Sequence, residues 1–226
     1  MSKNIIKFTL LMLVIALICS CEKEESEKTP SIYPLNIGNS WTYLDTSYDN
    51  GEESTGISER RIQYSHSIDN ITGFAYRDYI FRNPISLYKN DKEGNLVEYF
   101  FDDAKLIHES VFYKKNAQKG DNWIHKFVVY EINDSTGFED YDKYKIEERK
   151  INCVVSDTII TTPLDDFQCM GFSYNYGEPQ ENGEPSHTMI HYLSENVGII
   201  KVLFYEHKNG ETLLFREQTL IECVIK

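Results

Sequence analysis

The chain has 226 residues, 13% of them aromatic, and a formal net charge of −13. A chain this acidic is a poor partner for nucleic-acid phosphates and is repelled by an anionic membrane surface. Its length suits one domain with a real core, and no Cys-x-x-Cys spacing offers a finger-type zinc site.

The N-terminus reads as a delivery signal. Lys3 and Lys7 give a positive start, and Phe8 to Ile18 follows with Thr9 as its single polar residue. A bilayer-spanning helix needs about 20 apolar residues, so this run is too short to remain as a span and fits a secretory signal. After it, Glu22-Lys23-Glu24-Glu25-Ser26-Glu27-Lys28 holds no apolar residue, so it reads as a solvated tether that cannot join a core. The expected boundaries are 1–20 for the signal, 21–31 for Cys21 and the tether, and 32–226 for a single β domain.

Ile18-Cys19-Ser20-Cys21 resembles the bacterial lipobox. That resemblance implies cleavage between Ser20 and Cys21 and acylation of the Cys21 thiol. Two or more acyl chains hold a protein firmly, at about 0.8 kcal/mol per buried CH₂. Lys23-Glu24-Glu25 is similar to the surface-export signal of Bacteroidota lipoproteins. It implies the outer membrane and the cell surface, with the periplasmic face as the alternative.

Past the tether, Ile32 to Ile37 opens the domain and Gly38-Asn39-Ser40 turns it into Trp41-Thr42-Tyr43-Leu44, where Trp41 and Tyr43 share a face by the strand period of two. Asn50-Gly51 predicts a hairpin. Ile57 to Ile68 returns with Ile62, Tyr64, His66 and Ile68 on one face; Asp69-Asn70 and Gly73 mark a turn before Phe74 to Phe81. Ile85–Tyr88, Leu96–Phe101 and Lys105–Tyr113 follow, the last two joined across Asp102-Asp103, and Trp123–Ile132 comes after a polar loop. Asn133 to Asp142 reads as an acidic loop, and Tyr144–Thr161 as a long strand with a bend near Arg149-Lys150. Pro163 to Asp166 turns into Phe167–Tyr176. His187–Leu193, Gly198–His207 and Thr212–Ile225 complete the chain, the last pair across Asn209-Gly210.

About a dozen short strands without a sustained helical period predict an all-β domain of antiparallel hairpins. A strongly curved sheet or open barrel is expected, with a β-sandwich as the alternative. Cys153, Cys169 and Cys223 allow at most one internal disulfide.

Three stretches resemble landmarks of a group of Bacteroidota lipoproteins of unknown function: Tyr33-Pro34-Leu35 with Gly38 to Tyr43, Thr161 to Cys169, and Tyr192 to Lys201. In the second, Leu164-Asp165-Asp166 departs from the group's Ala-Gly-Thr. The resemblance implies fold and placement, and no activity.

Candidate chemistry is sparse. His187 and His191 lie about 13 Å apart if on a strand, too far for one metal ion. Asp134, Glu139, Asp140 and Asp142 do not match the EF-hand spacing. Asp102-Asp103 and Asp165-Asp166 read as turn residues. No catalytic residue, metal ligand or cofactor is expected. The expected role is a non-catalytic binding or structural domain at the cell envelope, its partners the membrane through the lipid and another envelope protein or a glycan. The alternative is a surface glycan-binding module of a polysaccharide uptake system.

Overall fold

The chain is described by a computed structural model at residues 30–49, 51–76, 85–132, 139–177 and 186–226, without side chains for 131–132 and 139–142. Ser20, Cys21, Lys23, Glu24 and Glu25 lie outside the described residues, as do Asp134 and the side chains of Glu139, Asp140 and Asp142.

Every regular element among the described residues is a strand: β1 (Ser40–Asp49), β2 (Glu52–Ile68), β3 (Ile71–Tyr76), β4 (Ile85–Asn90), β5 (Leu96–Asp102), β6 (Lys105–Tyr113), β7 (Asn122–Ile132), β8 (Glu139–Thr161), β9 (Asp166–Tyr176), β10 (His187–Ser194), β11 (Gly198–Lys208) and β12 (Glu211–Val224). They form one antiparallel sheet in the order β6-β5-β4-β3-β2-β1-β12-β11-β10-β9-β8-β7. Neighbours in sequence are neighbours in space, and the first strand pairs with the last. The sheet therefore curves through a full circuit and stops short of closure at the two edges, β6 and β7. It is the open barrel that the strand pattern predicts.

Local chemistry sets the hairpins. Asn209 (φ 54°) and Gly210 (φ 77°) both take the left-handed conformation that a two-residue turn requires, as do Asp69 and Asn70. The β5–β6 turn falls one residue later than Asp102-Asp103 predicts, on Asp103 (φ 46°) and Ala104 (φ 61°), because Asp102 stays in the ladder opposite Lys105. Gly73 lies inside β3 rather than in a turn; a Cβ there would sit 2.8 Å from the Cβ of Leu87, so only glycine allows β3 and β4 to approach.

Irregularities explain two further differences. A register shift between Ile62 and Tyr64 breaks the alternation of β2, so Ile62 is buried in the main core while Tyr64 and His66 face solvent; Ile68, at the end of the strand, is buried in a separate cluster with Ala75, Leu87 and Phe101. β8 runs on past Arg149-Lys150 without interruption. Its irregularities against β9 fall between Cys153 and Thr158 instead.

The core fills one end of the barrel. Trp41, Tyr43, Phe172, Leu193, Ile200, Val202 and Leu220 point inward and are fully buried. Onto them folds the segment before β1, with Ile32, Tyr33 and Leu35 buried in the same cluster. This segment is a plug, stitched by main-chain bonds from Ile32 N to Gly94 O (3.0 Å) and from Asn196 N to Ser31 O (2.8 Å). Tyr33 packs on Trp41 at 4.9 Å between ring centres. Trp41 donates its indole N–H to Val197 O (2.6 Å), and the Tyr43 hydroxyl donates to Ile199 O (3.1 Å). The first and third landmark stretches thus meet in space. The second forms the turn in which Thr162 Oγ1 accepts from the amides of Leu164 and Asp165.

The three described cysteines are free thiols. Cys153 and Cys169 are buried, and burial pushes the Cys169 thiol up to about 12, so both serve as small apolar side chains.

Candidate functional site: a polar lumen

Beyond the plug the barrel is not filled. A cavity of about 760 Å³ lies between the strands, lined from eight of the twelve: β2, β4, β5, β6, β9, β10, β11 and β12. Side chains that reach one space from so many strands must point into the lumen.

The lining is polar and aromatic. In β2, Ser58, Arg60 and Ile62 alternate onto the inner face, and Arg60 is half-buried. In β12, Arg216, Gln218 and Leu220 do the same. Arg216 donates from Nε to Asp45 Oδ1 (2.7 Å) and from Nη2 to Oδ2, a two-point clasp across the β1–β12 ladder. Gln218 donates to Asp45 Oδ2 (2.9 Å) and accepts from Arg60 Nη2 at 3.0 Å. Both guanidiniums are therefore held by one amide and one carboxylate. The hydrogen bond from Arg216 holds the Asp45 carboxyl below its ordinary range. Arg216 is 40% exposed, which places this network at the mouth.

Deeper lies His191, 5% exposed. Tyr113 contacts its Nδ1, while Nε2 lies 2.7 Å from Met189 Sδ and 3.4 Å from the Tyr174 hydroxyl. Burial, followed by the charges of Arg60 and Arg149, pushes His191 well below the ordinary histidine range, so the ring is neutral. Burial also pushes Tyr113 well up, so its hydroxyl stays protonated against the His191 ring.

Arg149 stands behind this group. Its guanidinium carbon is 3.5 Å from the Phe127 ring centre and 4.8 Å from that of Tyr174, and its buried Nε has no hydrogen-bond partner among the described residues. The acidic side chains nearby are already engaged. Glu59 pairs with Arg61 at the rim (2.9 Å). Glu98 accepts from Tyr88 (2.8 Å) and Ser86 (3.0 Å) and faces His125 Nε2 at 3.3 Å.

His187 and His191 do not share a site. His191 is in the lumen, and His187 stacks on Tyr176 at 5.0 Å. No group of three or more His, Cys, Asp or Glu side chains that could hold a metal occurs among the described residues. The lumen residues Arg60, Arg216 and Gln218, and Arg149 packed on Tyr174 behind them, escaped the sequence reading as site residues. One signal was present in the chain: a charged residue two before Ile62, and another two before Gln218 and four before Leu220, both on the face that becomes the interior.

No family model matches the chain. No curated protein matches it. Two solved structures are similar. One is described as a "putative lipoprotein" from Parabacteroides distasonis, at 12% identity and TM-score 0.39, covering 88% of this chain and all of that one. The other is described as a "putative exported protein with YmcC-like fold" from Bacteroides fragilis, at 14% identity and TM-score 0.39, covering 86% of this chain and 99% of that one. Likeness at this level assigns neither ligand nor activity.

Proposed function

We propose that this chain is a lipid-anchored outer-membrane lipoprotein, acylated at Cys21 and facing the cell exterior, whose barrel binds a small polar ligand in its lumen without transforming it. The observation that carries the reading is the lumen itself. Its size falls in the range of small-molecule sites, roughly 300–1,000 Å³, and it is lined by oriented donors and aromatic rings where a structural barrel would be packed with aliphatic side chains. The aromatic residues also favour a ligand taken inside. Trp41 is fully buried, and Tyr64 is the one aromatic among the exposed large apolar side chains, so they build no outer stacking platform among the described residues.

The chemistry of the lumen suits binding better than turnover. Among the described residues Glu59 is the one carboxylate on its wall, and His191 is locked between Tyr113 and Met189 with no acid beside it. The tether fits the same reading. Residues 22–31 would reach roughly 33 Å if extended, and the described chain begins beside the plug, where Ser31 bonds Asn196.

Native mass spectrometry of the mature chain, gently released from envelopes, tests this. A bound small molecule is expected on the wild type and absent from Met189→Trp, which fills the lumen. After prolonged incubation the molecule is recovered unchanged. Equal occupancy of both proteins, or chemical conversion of the ligand, overturns the reading.

A further inference from the structure

We propose that the ligand of the lumen is polar at one end only: an amphiphile whose flat ring body lies against Tyr174, Met189 and Phe204 and whose hydrogen-bonding head stays at the mouth, beside Arg216 and Arg61. This rests on the lumen being a binding site, and it adds the ligand's shape and the way round it enters.

Three observations converge. The first is register. Met189 on β10 stands opposite Tyr174 on β9 and opposite Phe204 on β11, and Phe204 in turn stands opposite Arg216 on β12. All four line the lumen. Directly opposed side chains are neighbours on one face of a sheet, so the inner wall carries a continuous strip of ring, thioether, ring and guanidinium. The strip is also graded. Tyr174 and Phe204 are buried, whereas the Arg216 side chain is 40% exposed. Rings and a polarizable thioether hold a flat apolar body by ring packing and sulfur–ring contact.

The second is that the polar atoms beside the strip are engaged with one another. Tyr113 contacts His191 Nδ1, and the Tyr174 hydroxyl lies 3.0 Å from Met189 Sδ and 3.4 Å from His191 Nε2. Burial keeps His191 neutral and the hydroxyls of Tyr113 and Tyr174 protonated. A body covered in hydroxyls would shed its water here without gaining equal partners, a cost that a ring body does not carry.

The third is the mouth. Its groups come as donors and acceptors together: Arg216 on Asp45, and Arg61 on Glu59 at 2.9 Å with both side chains 51% exposed. Water reaches them, so a head group placed there keeps its hydration and finds both kinds of hydrogen bond. A lumen of about 760 Å³ has room for fused rings beneath such a head.

The test uses the intact mature protein and three probes with one head and different bodies: methyl, octyl and naphthyl glucosides, each titrated by calorimetry below its micelle concentration. The naphthyl glucoside should bind at least about tenfold more tightly than the methyl glucoside, and more tightly than the octyl glucoside. Once bound, its emission should be shielded from acrylamide, a neutral quencher. Phe204→Leu, checked for folding by circular dichroism, keeps an apolar side chain and should lose most of the preference for naphthyl over octyl. Should that variant fail to fold, the ranking of the three probes on the wild type decides alone. Equal binding of the methyl and naphthyl glucosides would overturn the ring body. Tighter binding of the octyl glucoside would put an alkyl chain in its place, and quenching unchanged on binding would overturn the orientation. Each of these leaves the binding reading intact. So would no binding of the naphthyl glucoside at millimolar concentration alongside a native ligand that Met189→Trp abolishes, and that result would also overturn the ring body.

Discussion

The curved sheet meets itself at two places, and they are joined in different ways. Between β1 and β12 the backbones form a ladder from Ser40↔Val224 to Ser47↔Arg216, broken by one irregularity between Thr42 and Tyr43. Between β6 and β7 there is no ladder. Lys126 N donates to Ser110 Oγ (2.8 Å), Trp123 Nε1 donates to Val111 O (3.1 Å), and Phe112 stacks on His125 at 4.5 Å. A ladder fixes register through atoms that every residue carries. The β6–β7 seam depends on particular side chains, two of which, Ser110 and Trp123, each cap one edge group that would otherwise invite another strand. The first junction should therefore tolerate substitutions facing solvent, while the second should be decided residue by residue.

Three experiments break or sharpen this contrast. The largest effect is expected from Trp41→Ala, which empties the core under the β1–β12 ladder and removes the bond to Val197 O. Deleting a fully buried tryptophan costs about 3–5 kcal/mol. Urea unfolding monitored by far-ultraviolet circular dichroism should show the unfolding free energy fall by that amount, and a loss under about 1 kcal/mol would show that the plug does not depend on this ring.

Next is Ser110→Ala at the seam. It strips one acceptor from the Lys126 amide, at about 1 kcal/mol. Hydrogen exchange should quicken at Lys126 and its neighbours while the amides of β1 and β12 keep their protection. Equal acceleration at both junctions would mean that they open together and that the contrast is false.

The smallest effect concerns the Asp45–Arg216 clasp across the ladder. The hydrogen bond from Arg216 depresses the Asp45 pKa in the folded state. The unfolded chain then holds the proton more readily, so this stabilisation is present above the ordinary carboxylate range near pH 4 and is lost as pH falls through the lower folded value. Wild type and Asp45→Asn should differ in stability at pH 7 and converge in acid. A difference that stays constant across that range would show that the pair is not linked to protonation.

The contrast also separates what the sequence made legible from what it hid. Asn209-Gly210 and Asp69-Asn70 form the expected turns because the left-handed conformations they adopt are a local property. Trp41 and Tyr43 share the inner face because alternation is local too. The turn at Asp103-Ala104 moved by one residue because the ladder, not the turn residues, set the register. What no short stretch could show was long-range. Arg60 meets Gln218 and Asp45 meets Arg216 only because the first hairpin lies beside the last strand. The lumen is built entirely from such encounters, so the chain displayed its arginines without displaying their purpose.

Pairing β1 with β12 also imposes a timetable. Trp41 and Tyr43 each lie 156 residues before the carbonyl they bond, and the strand that covers them lies as far along the chain. Closing so long a loop carries an entropic delay before any contact repays it. Until then the chain must be kept from sticking to its neighbours, so refolding from denaturant should be slow and concentration-sensitive.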